Sequence, residues 1–453
     1  MNKSPINRRN FVKTTAAAGA GLLIMPSGSL FGQSAASNKL NIALIGSYGR
    51  AKAHYPVLKT QNVVALCDVD DRMLAKAVKE FPKAKTYKDW RKALDQPDID
   101  AVVVCTPDHT HGHIASWSLN RDYHVYLEKP LGNCVHEARY NRLKWLKKSD
   151  KLATQVGTQR HAIDNFARVR ELIKDGAIGK LKDVHAWGNR ELRSPGYPKP
   201  KGKVPSYLDW DLWLGPSPEH GYSNGYFEAH NPSYDRPGSN CLSWNRFWDF
   251  GCGQIGDMGA HTMDLVWNAL DGDLPTTAEA KGEAVSSETV PVDMHSWFMV
   301  PANKWRPEIR VNWWQGALKP KMPNKFIDVS KIGHGGMFIG SEGALVCDFT
   351  TRAVIPYGRN ANMTYYKPRK EKHVAPAAKG FQEEWIEAAK GDLKTSCNVD
   401  YNGKMMEMMF LGLAAFRAGE KLKYNGKTGK LVGNSDANKL LKKKYRDGWP
   451  LNG

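Results

Sequence analysis

The chain of 453 residues lacks several features that would fix its class at once. No apolar run reaches the ~20 residues needed to cross a bilayer as a helix. The charge-free stretch Thr14–Met25 is too short, so no stable membrane insertion is expected. There is no Cys-x-x-Cys pair, and the cysteine count of seven is odd, which argues against a full disulfide framework. Cys67 and Cys105 end apolar runs and read as small core residues, whereas Cys241 and Cys252 flank a loop and form a candidate pair. No internal repeat is present, which sets repeat architectures aside. The chain is basic, yet no nucleic-acid-binding motif accompanies the charge, so no nucleic-acid partner is expected.

Acid is absent from the first 36 residues, which carry Lys3, Arg8, Arg9 and Lys13. Asn7–Lys13, with its paired arginines, precedes the short apolar run and then the small residues Ser34-Ala35-Ala36. This order reads as a twin-arginine export signal over residues 1–36, with the export machinery as a partner and a periplasmic or secreted location. Removing those four basic residues from the formal charge of +19 leaves +15. Much of the excess lies in dispersed lysines and in Lys442–Lys444. It reads as a solvated face, with an acidic polysaccharide or anionic surface as the sharper option.

From residue 40 strand-like and helix-like patterns alternate. Strands are expected at Leu40–Ile45, Val63–Asp68, Ala101–Cys105, His124–Leu127 and Ala153–Val156. Helices are expected near 50–60, 71–80, 111–120 and 133–148. This alternation predicts a Rossmann-like, doubly wound parallel sheet over 38–157. After residue 158 a helix at Asn165–Asp175 and a strand at Leu181–Trp187 lead into a Pro-, Gly- and aromatic-rich stretch, 189–250, read as irregular loops. Strand-like runs follow at Trp297–Val300, Glu308–Trp314, Met337–Ile339 and Ala344–Asp348, then helices at Gly380–Lys390 and Gly403–Ala418. The expectation for 158–430 is an α+β domain with a large, mostly antiparallel sheet, followed by a basic tail, 431–453, that packs back on the body.

Three motifs carry chemistry. The first strand runs into Gly46-Ser47-Tyr48-Gly49-Arg50-Ala51, a glycine-rich turn that suits a pyrophosphate but has Tyr48 where the fingerprint's middle glycine stands. Asp68, 22 residues after Gly46, ends the second strand; a carboxylate there accepts ribose hydroxyls and repels a 2′-phosphate, which favours NAD over NADP. Thr106, Pro107, His109 and His111 follow one strand, and Glu128-Lys129-Pro130 follows another, both at the carboxyl ends where open α/β sheets bind ligands. The third motif, Gly251–Asp264, places Asp257 and His261 at i and i+4 of an expected helix. Such a pair suits a general base, two metal ligands without a third, or a satisfied core histidine. No metal is expected. Trp210, Trp213, Trp244 and Trp248, with Tyr222, Tyr226 and Tyr234, crowd the loop stretch and suit either sugar stacking or packing. Arg160, His161, Trp244 and Arg246 are candidate substrate contacts.

Taken in order, Glu128-Lys129-Pro130, Asp257-x-x-x-His261, Gly340-Ser341-Glu342-Gly343 and Arg446-Asp447-Gly448-Trp449 resemble the glucose–fructose oxidoreductase / inositol dehydrogenase (Gfo/Idh/MocA) family. The resemblance implies hydride transfer between a sugar or polyol carbon and a nicotinamide ring. It also implies that Lys129 and His261 line the reacting hydroxyl, that Asp257 supports them, and that the protein is a homo-oligomer. Two other readings stand beside it: a redox-neutral NAD-dependent glycoside hydrolase, lyase or epimerase, and a non-catalytic sugar-binding protein. Export makes a tightly held, internally recycled cofactor the expectation, because no soluble nicotinamide pool is expected outside the inner membrane. The export reading predicts that the double variant Arg8→Lys, Arg9→Lys stays in the cytoplasm on cell fractionation; normal delivery of that variant refutes it.

Overall fold

The computed structural model describes residues 38–191, 193–227, 241–322, 327–358, 380–391 and 394–453. The expected signal over 1–36 and Tyr234 lie outside the described residues, as does the side chain of Cys241. The described chain from Leu40 onward forms one unit.

The first sheet holds six parallel strands: β1 (Asn41–Ile45), β2 (Asn62–Cys67), β3 (Lys85–Tyr87), β4 (Ala101–Val104), β5 (His124–Glu128) and β6 (Thr154–Gly157), in the order β3-β2-β1-β4-β5-β6. Strand β4 is buried at all four positions because helices cover both faces, the condition that lets Ala-Val-Val-Val stand without alternation. The order reverses between β1 and β4, and a ligand crevice opens at their carboxyl ends. The helices have local causes. Asp70 caps Asp71–Glu80 by accepting from Arg72 N, and Asn398 caps Val399–Ala418 by accepting from Asp400 N and Tyr401 N.

The second sheet has nine strands. They are β7 (Leu181–Gly188), β8 (Thr277–Gly282), β9 (Met294–Val300), β10 (Ile309–Gln315), β11 (His334–Gly340), β12 (Gly343–Cys347), β13 (Arg352–Pro356), β14 (Leu422–Asn425) and β15 (Lys430–Leu431). Their order is β13-β12-β11-β7-β10-β9-β8-β14-β15, and only the β7–β10 pair is parallel. The alternating burial of β9 shows one face on the core, where Phe298 meets the helices Ala260–Leu270 and Val399–Ala418. No described helix is long and apolar enough to cross a membrane.

The chain does not leave the first sheet for good at residue 157. Phe381, Trp385, Ile386, Ala389 and Cys397 pack in one cluster with Ile42, Leu44 and Leu66 of the first sheet. The tail returns as well: Trp449 is buried with Trp90, and Trp117 Nε1 donates to the Pro450 carbonyl at 3.0 Å. Six cysteines are free thiols, among them Cys252, which donates to Asn133 Oδ1 at 2.7 Å; the Cys241–Cys252 pairing considered from the sequence is therefore not formed.

The helix Val399–Ala418 is tied to Val135–Leu146 by a buried carboxylate. Glu407 accepts from Arg139 Nη1 at 3.0 Å and Arg142 Nη2 at 3.4 Å, and Tyr424 Oη donates to it as well. Glu407→Ala takes the buried carboxylate from two guanidinium groups, leaving Arg139 only the Gly426 and Lys427 carbonyls and Arg142 only Asp400. We expect it to cost about 3–5 kcal/mol, the usual penalty for removing one partner of a buried pair, read as a lowered urea midpoint.

Candidate active site

Strand β1 delivers the chain to a turn at Gly46, where φ is +75°. A Cβ there would lie 2.7 Å from the Cys105 carbonyl carbon and oxygen, so only glycine lets the turn pass this close to the end of β4. Tyr55 Oη locks the turn by donating to Ser47 O at 2.6 Å. The single helix expected over 50–60 is instead a 3₁₀ segment, Gly49–His54, followed by one α-turn, Tyr55–Leu58, with Pro56 in its first turn. Tyr48 lies at the head of this segment, with the ammonium groups of Lys52 and Lys76 over its ring at 5.2 and 5.1 Å.

Asp68 closes β2 beside this turn. It accepts from Ser47 N at 3.0 Å and Asp70 N at 3.1 Å. Burial pushes its carboxyl up to about 6, against those same backbone N–H groups, which favour the charged form. It lines a cavity of about 1020 Å³ with Gly46, Tyr48, Thr106, Tyr207 and Trp213. The loop that carries Tyr207 is sewn over this cavity: Asp71 N donates to Tyr207 O at 2.8 Å and Asp209 N to Val69 O at 2.9 Å.

A second cavity, about 1200 Å³ and open to solvent, shares Tyr48, Gly49, Thr106 and Pro107 with the first. Lys129, Arg160, Trp244 and His261 also line it. The two cavities together make a slot from Asp68 to His261, bent at the glycine-rich turn. A carboxylate at one end, main-chain turns at the bend and a Lys–His pair at the other end fit an extended dinucleotide.

The structure corrects the expected Asp257–His261 pair. Residues Ile255–Gly259 form a π-helical turn before the α-helix Ala260–Leu270 begins. The wider turn breaks the i, i+4 stacking that the sequence implied. Asp257 turns instead to two cations: Lys129 Nζ donates to Oδ1 at 2.6 Å, and Arg190 Nη1 donates to Oδ2. Burial alone would raise the Asp257 carboxyl; Lys129 and Arg190 overcome it and hold the group at about 2. His261 keeps a buried Nδ1 with no hydrogen-bond partner among the described residues. Burial, then Lys129 and Arg160, push its imidazole down to about 3. Asp257 still raises the basicity of His261, as expected from the sequence, but burial, Lys129 and Arg160 outweigh it and leave the imidazole neutral.

The other candidates divide. Glu128 lines the cavity but is committed to Arg50 at 2.9 Å, His54 at 2.8 Å and Gln159 at 2.8 Å. Burial opposes its charge, yet the His54 hydrogen bond and Arg50 hold it at about 2. His111 lines the cavity while bonding the Pro130 and Thr106 carbonyls at 2.9 and 2.7 Å. His109 is buried against Trp213, with Nε2 2.9 Å from the Trp213 carbonyl. His161 directs Nδ1 to Asp264 at 3.0 Å, a carboxylate also bound by Tyr401 Oη at 2.6 Å. His161, Asp264 and Cys397 bring their ligand atoms within 4.8 Å of one another, where no metal site was expected. Arg246 Nε donates to the Ser243 carbonyl. Of the aromatic residues, Trp210, Trp213, Tyr222, Tyr226 and Trp244 pack together in a cluster of their own, and Trp244 also faces the catalytic cavity.

Two residues escaped the sequence reading. Arg190 lies in the stretch read as irregular, two residues beyond β7, with no motif to mark it. Asp108 heads the helix Asp108–Asn120 and lines the cavity; burial raises it to about 7, with Lys129 opposing and Asp257 adding to the rise.

Comparison with known proteins accounts for this arrangement. Residues 40–158 match the family model described as the GFO_IDH_MocA oxidoreductase family, NAD-binding Rossmann fold. Residues 196–293 match the model of that family's C-terminal alpha/beta domain. Residues 40–158 and 196–293 thus carry both modules of the Gfo/Idh/MocA oxidoreductase family, and the first sheet is an NAD-binding Rossmann fold. It is 28% identical over 157 residues to levoglucosan dehydrogenase of Pseudarthrobacter phenanthrenivorans, which covers 31% of this chain and 39% of that protein. It is 32% identical over 152 residues to inositol 2-dehydrogenase/D-chiro-inositol 3-dehydrogenase of Lacticaseibacillus casei, covering 32% and 44%. The chain thus spans under half the length of these curated relatives. The fold extends further: the WlbA dehydrogenase of Bordetella pertussis, solved with NADH and UDP-GlcNAcA, superposes with a TM-score of 0.59 at 14% identity, covering 85% of this chain and 98% of that one.

Asp68 yields a pH test. Above pH 6 its carboxylate is charged and repels a 2′-phosphate; as pH falls through about 6 it protonates and the repulsion fades. The NAD-over-NADP preference in binding titrations should therefore shrink from pH 8 to pH 5, and shrink more than in Asp68→Asn.

Proposed function

We propose that the protein is an exported NAD-dependent oxidoreductase acting on a sugar or polyol hydroxyl, with a dinucleotide held tightly and recycled internally. The observation that carries this reading is the continuous slot joining Asp68 to Lys129 and His261. Sugar and polyol dehydrogenases among the relatives support the substrate class.

The glycine-rich turn and Asp68 would hold the dinucleotide, which when bound would supply a hydride acceptor for the alcohol carbon and a donor in the reverse sense. The protein's part is to hold the hydroxyl and move its proton. Lys129 carries a positive charge to the cavity floor and is anchored there by Asp257, so it donates a hydrogen bond to the alcohol oxygen and steadies the alkoxide that forms. His261, held neutral by burial and the neighbouring cations, takes the hydroxyl proton through the ring nitrogen other than its buried Nδ1. Loss of proton and hydride leaves a carbonyl, and the same two residues serve the reverse step.

The roof of residues 207–227 over the Asp68 end favours retention of the cofactor. A retained cofactor must give back each hydride, to the same sugar or to a second one. The redox-neutral reading, in which transient oxidation permits elimination, hydrolysis or epimerisation, stays compatible with this geometry.

His261→Ala should lower single-turnover hydride transfer, followed by nicotinamide absorbance, by ~10²–10⁴, the usual contribution of a positioned acid or base. The variant should retain dinucleotide in native mass spectrometry. Unchanged turnover removes His261 from the mechanism, and wild-type protein that neither retains nor binds NAD overturns the reading as a whole.

A further inference from the structure

Beside the Lys129–Asp257–His261 group lies a set of polar nitrogens that have no hydrogen-bond partner among the described residues. Arg160 lines the catalytic cavity, and its guanidinium sits 3.9 Å over the Phe349 ring, with no carboxylate bonded to it among the described residues. His334, at the start of β11, lies on the same ring at 6.3 Å between centroids, and its Nδ1 is buried without a partner. A Cβ on Gly188, at the end of β7, would stand 2.4 Å from Gln254 Nε2 and 3.1 Å from His334 Nδ1, which places those two groups side by side. Gln254 Nε2 and Lys319 Nζ are also buried, with no hydrogen-bond partner among the described residues.

The charges converge on one spot. Burial lowers His334 to about 4, and Arg190, Arg160 and Lys319 all push it further in that direction, with Asp257 opposing. Burial also lowers Lys319 to about 8, relieved in part by Glu191. Arg160 is lowered by burial and then by Arg190. Four cations, Lys129, Arg160, Arg190 and Lys319, thus face Asp257 and Glu191. Both oxygens of Asp257 are already engaged, one by Lys129 and one by Arg190. Buried donors without acceptors cost free energy until something satisfies them. A neutral sugar, whose hydroxyls donate as well as accept, answers this set poorly; an acceptor-only group with negative charge answers it well.

We propose that Arg160, Lys319, His334 and Gln254 form a carboxylate subsite, so that the substrate is an acidic sugar of the uronate type or a glycoside of one. This rests on the oxidoreductase reading and narrows its substrate. The carboxylate bonds to Arg160 and Lys319 while the reacting hydroxyl lies at Lys129 and His261. Binding relieves the mutual repulsion of the cations and restores acceptors to the buried donors.

The test uses the full chain loaded with NAD, dinucleotide content being verified first. Calorimetric titration compares D-glucuronate, D-galacturonate, D-mannuronate and L-iduronate with their uncharged amides. At least one uronate should bind tenfold or more tighter than its amide. Arg160→Gln with Lys319→Met should bring that ratio to about one while leaving NAD binding in place. Equal binding of acid and amide overturns the inference, as does a preference that survives in the double variant. Failure of every uronate to bind protein that holds NAD also overturns it and leaves the dehydrogenase reading standing. Failure to hold NAD at all refutes that reading instead. Should the double variant misfold by circular dichroism, Arg160→Gln alone is read, and a ratio unchanged from wild type counts against the subsite.

Discussion

The carboxylate of Asp257 is the point on which the two sheets meet chemically. It comes from the second half of the chain, while Lys129 comes from the end of β5 in the first and Arg190 from the loop after β7. Taking a carboxylate out of water costs several kcal/mol per ion unless close partners offset it. Two cations do so here, and they can do so only if both sheets stand in their native relation. The π-helical turn at Ile255–Gly259 presents Asp257 at that meeting point, while burial and the same cations keep His261 neutral.

Much of this was legible in the sequence. The alternation from Leu40 to Val156 fixed the parallel sheet because each strand is buried on both faces and so reads as an unbroken apolar run. The positions of Asp68 and Lys129 on the cavities were legible because strand ends beside the glycine-rich turn mark a crevice by position, whereas His261 was picked out by its motif. The strands β8 and β14 were not legible. Thr-Ala-Glu-Ala-Lys-Gly has no strand-like run of its own and is extended because β9 and β14 pair with it on either side. The resemblance put Asp257 beside Lys129, which it bonds, but the helical spacing that paired it with His261 assumes 3.6 residues per turn, and a π turn breaks that rule without a sequence sign. Arg190 was missed because it stands in a stretch whose order comes from long-range contacts.

The aromatic loop shows how two readings of one composition can both hold. Trp210, Trp213, Tyr222 and Tyr226 pack on one another, with the Trp210 and Trp213 rings stacked at 4.7 Å. The loop therefore has a core of its own and needs no sugar to order it. The same cluster forms one wall of the slot through Trp213 and another through Trp244. Packing supplies a rigid wall, and a rigid wall suits stacking.

The return of residues 381–397 and Trp449 to the first sheet has a further consequence. Many two-domain enzymes shut on their ligands by a hinge, which needs few strands of chain between the halves. Here the backbone crosses from one half to the other and comes back, and Glu407 clamps the long helix against Arg139 and Arg142. A swing of one half against the other would have to tear an apolar layer and break a buried ion cluster together. The apolar layer and the ion cluster thus set a common cost on any hinge between the halves, one that grows with the amplitude of the swing.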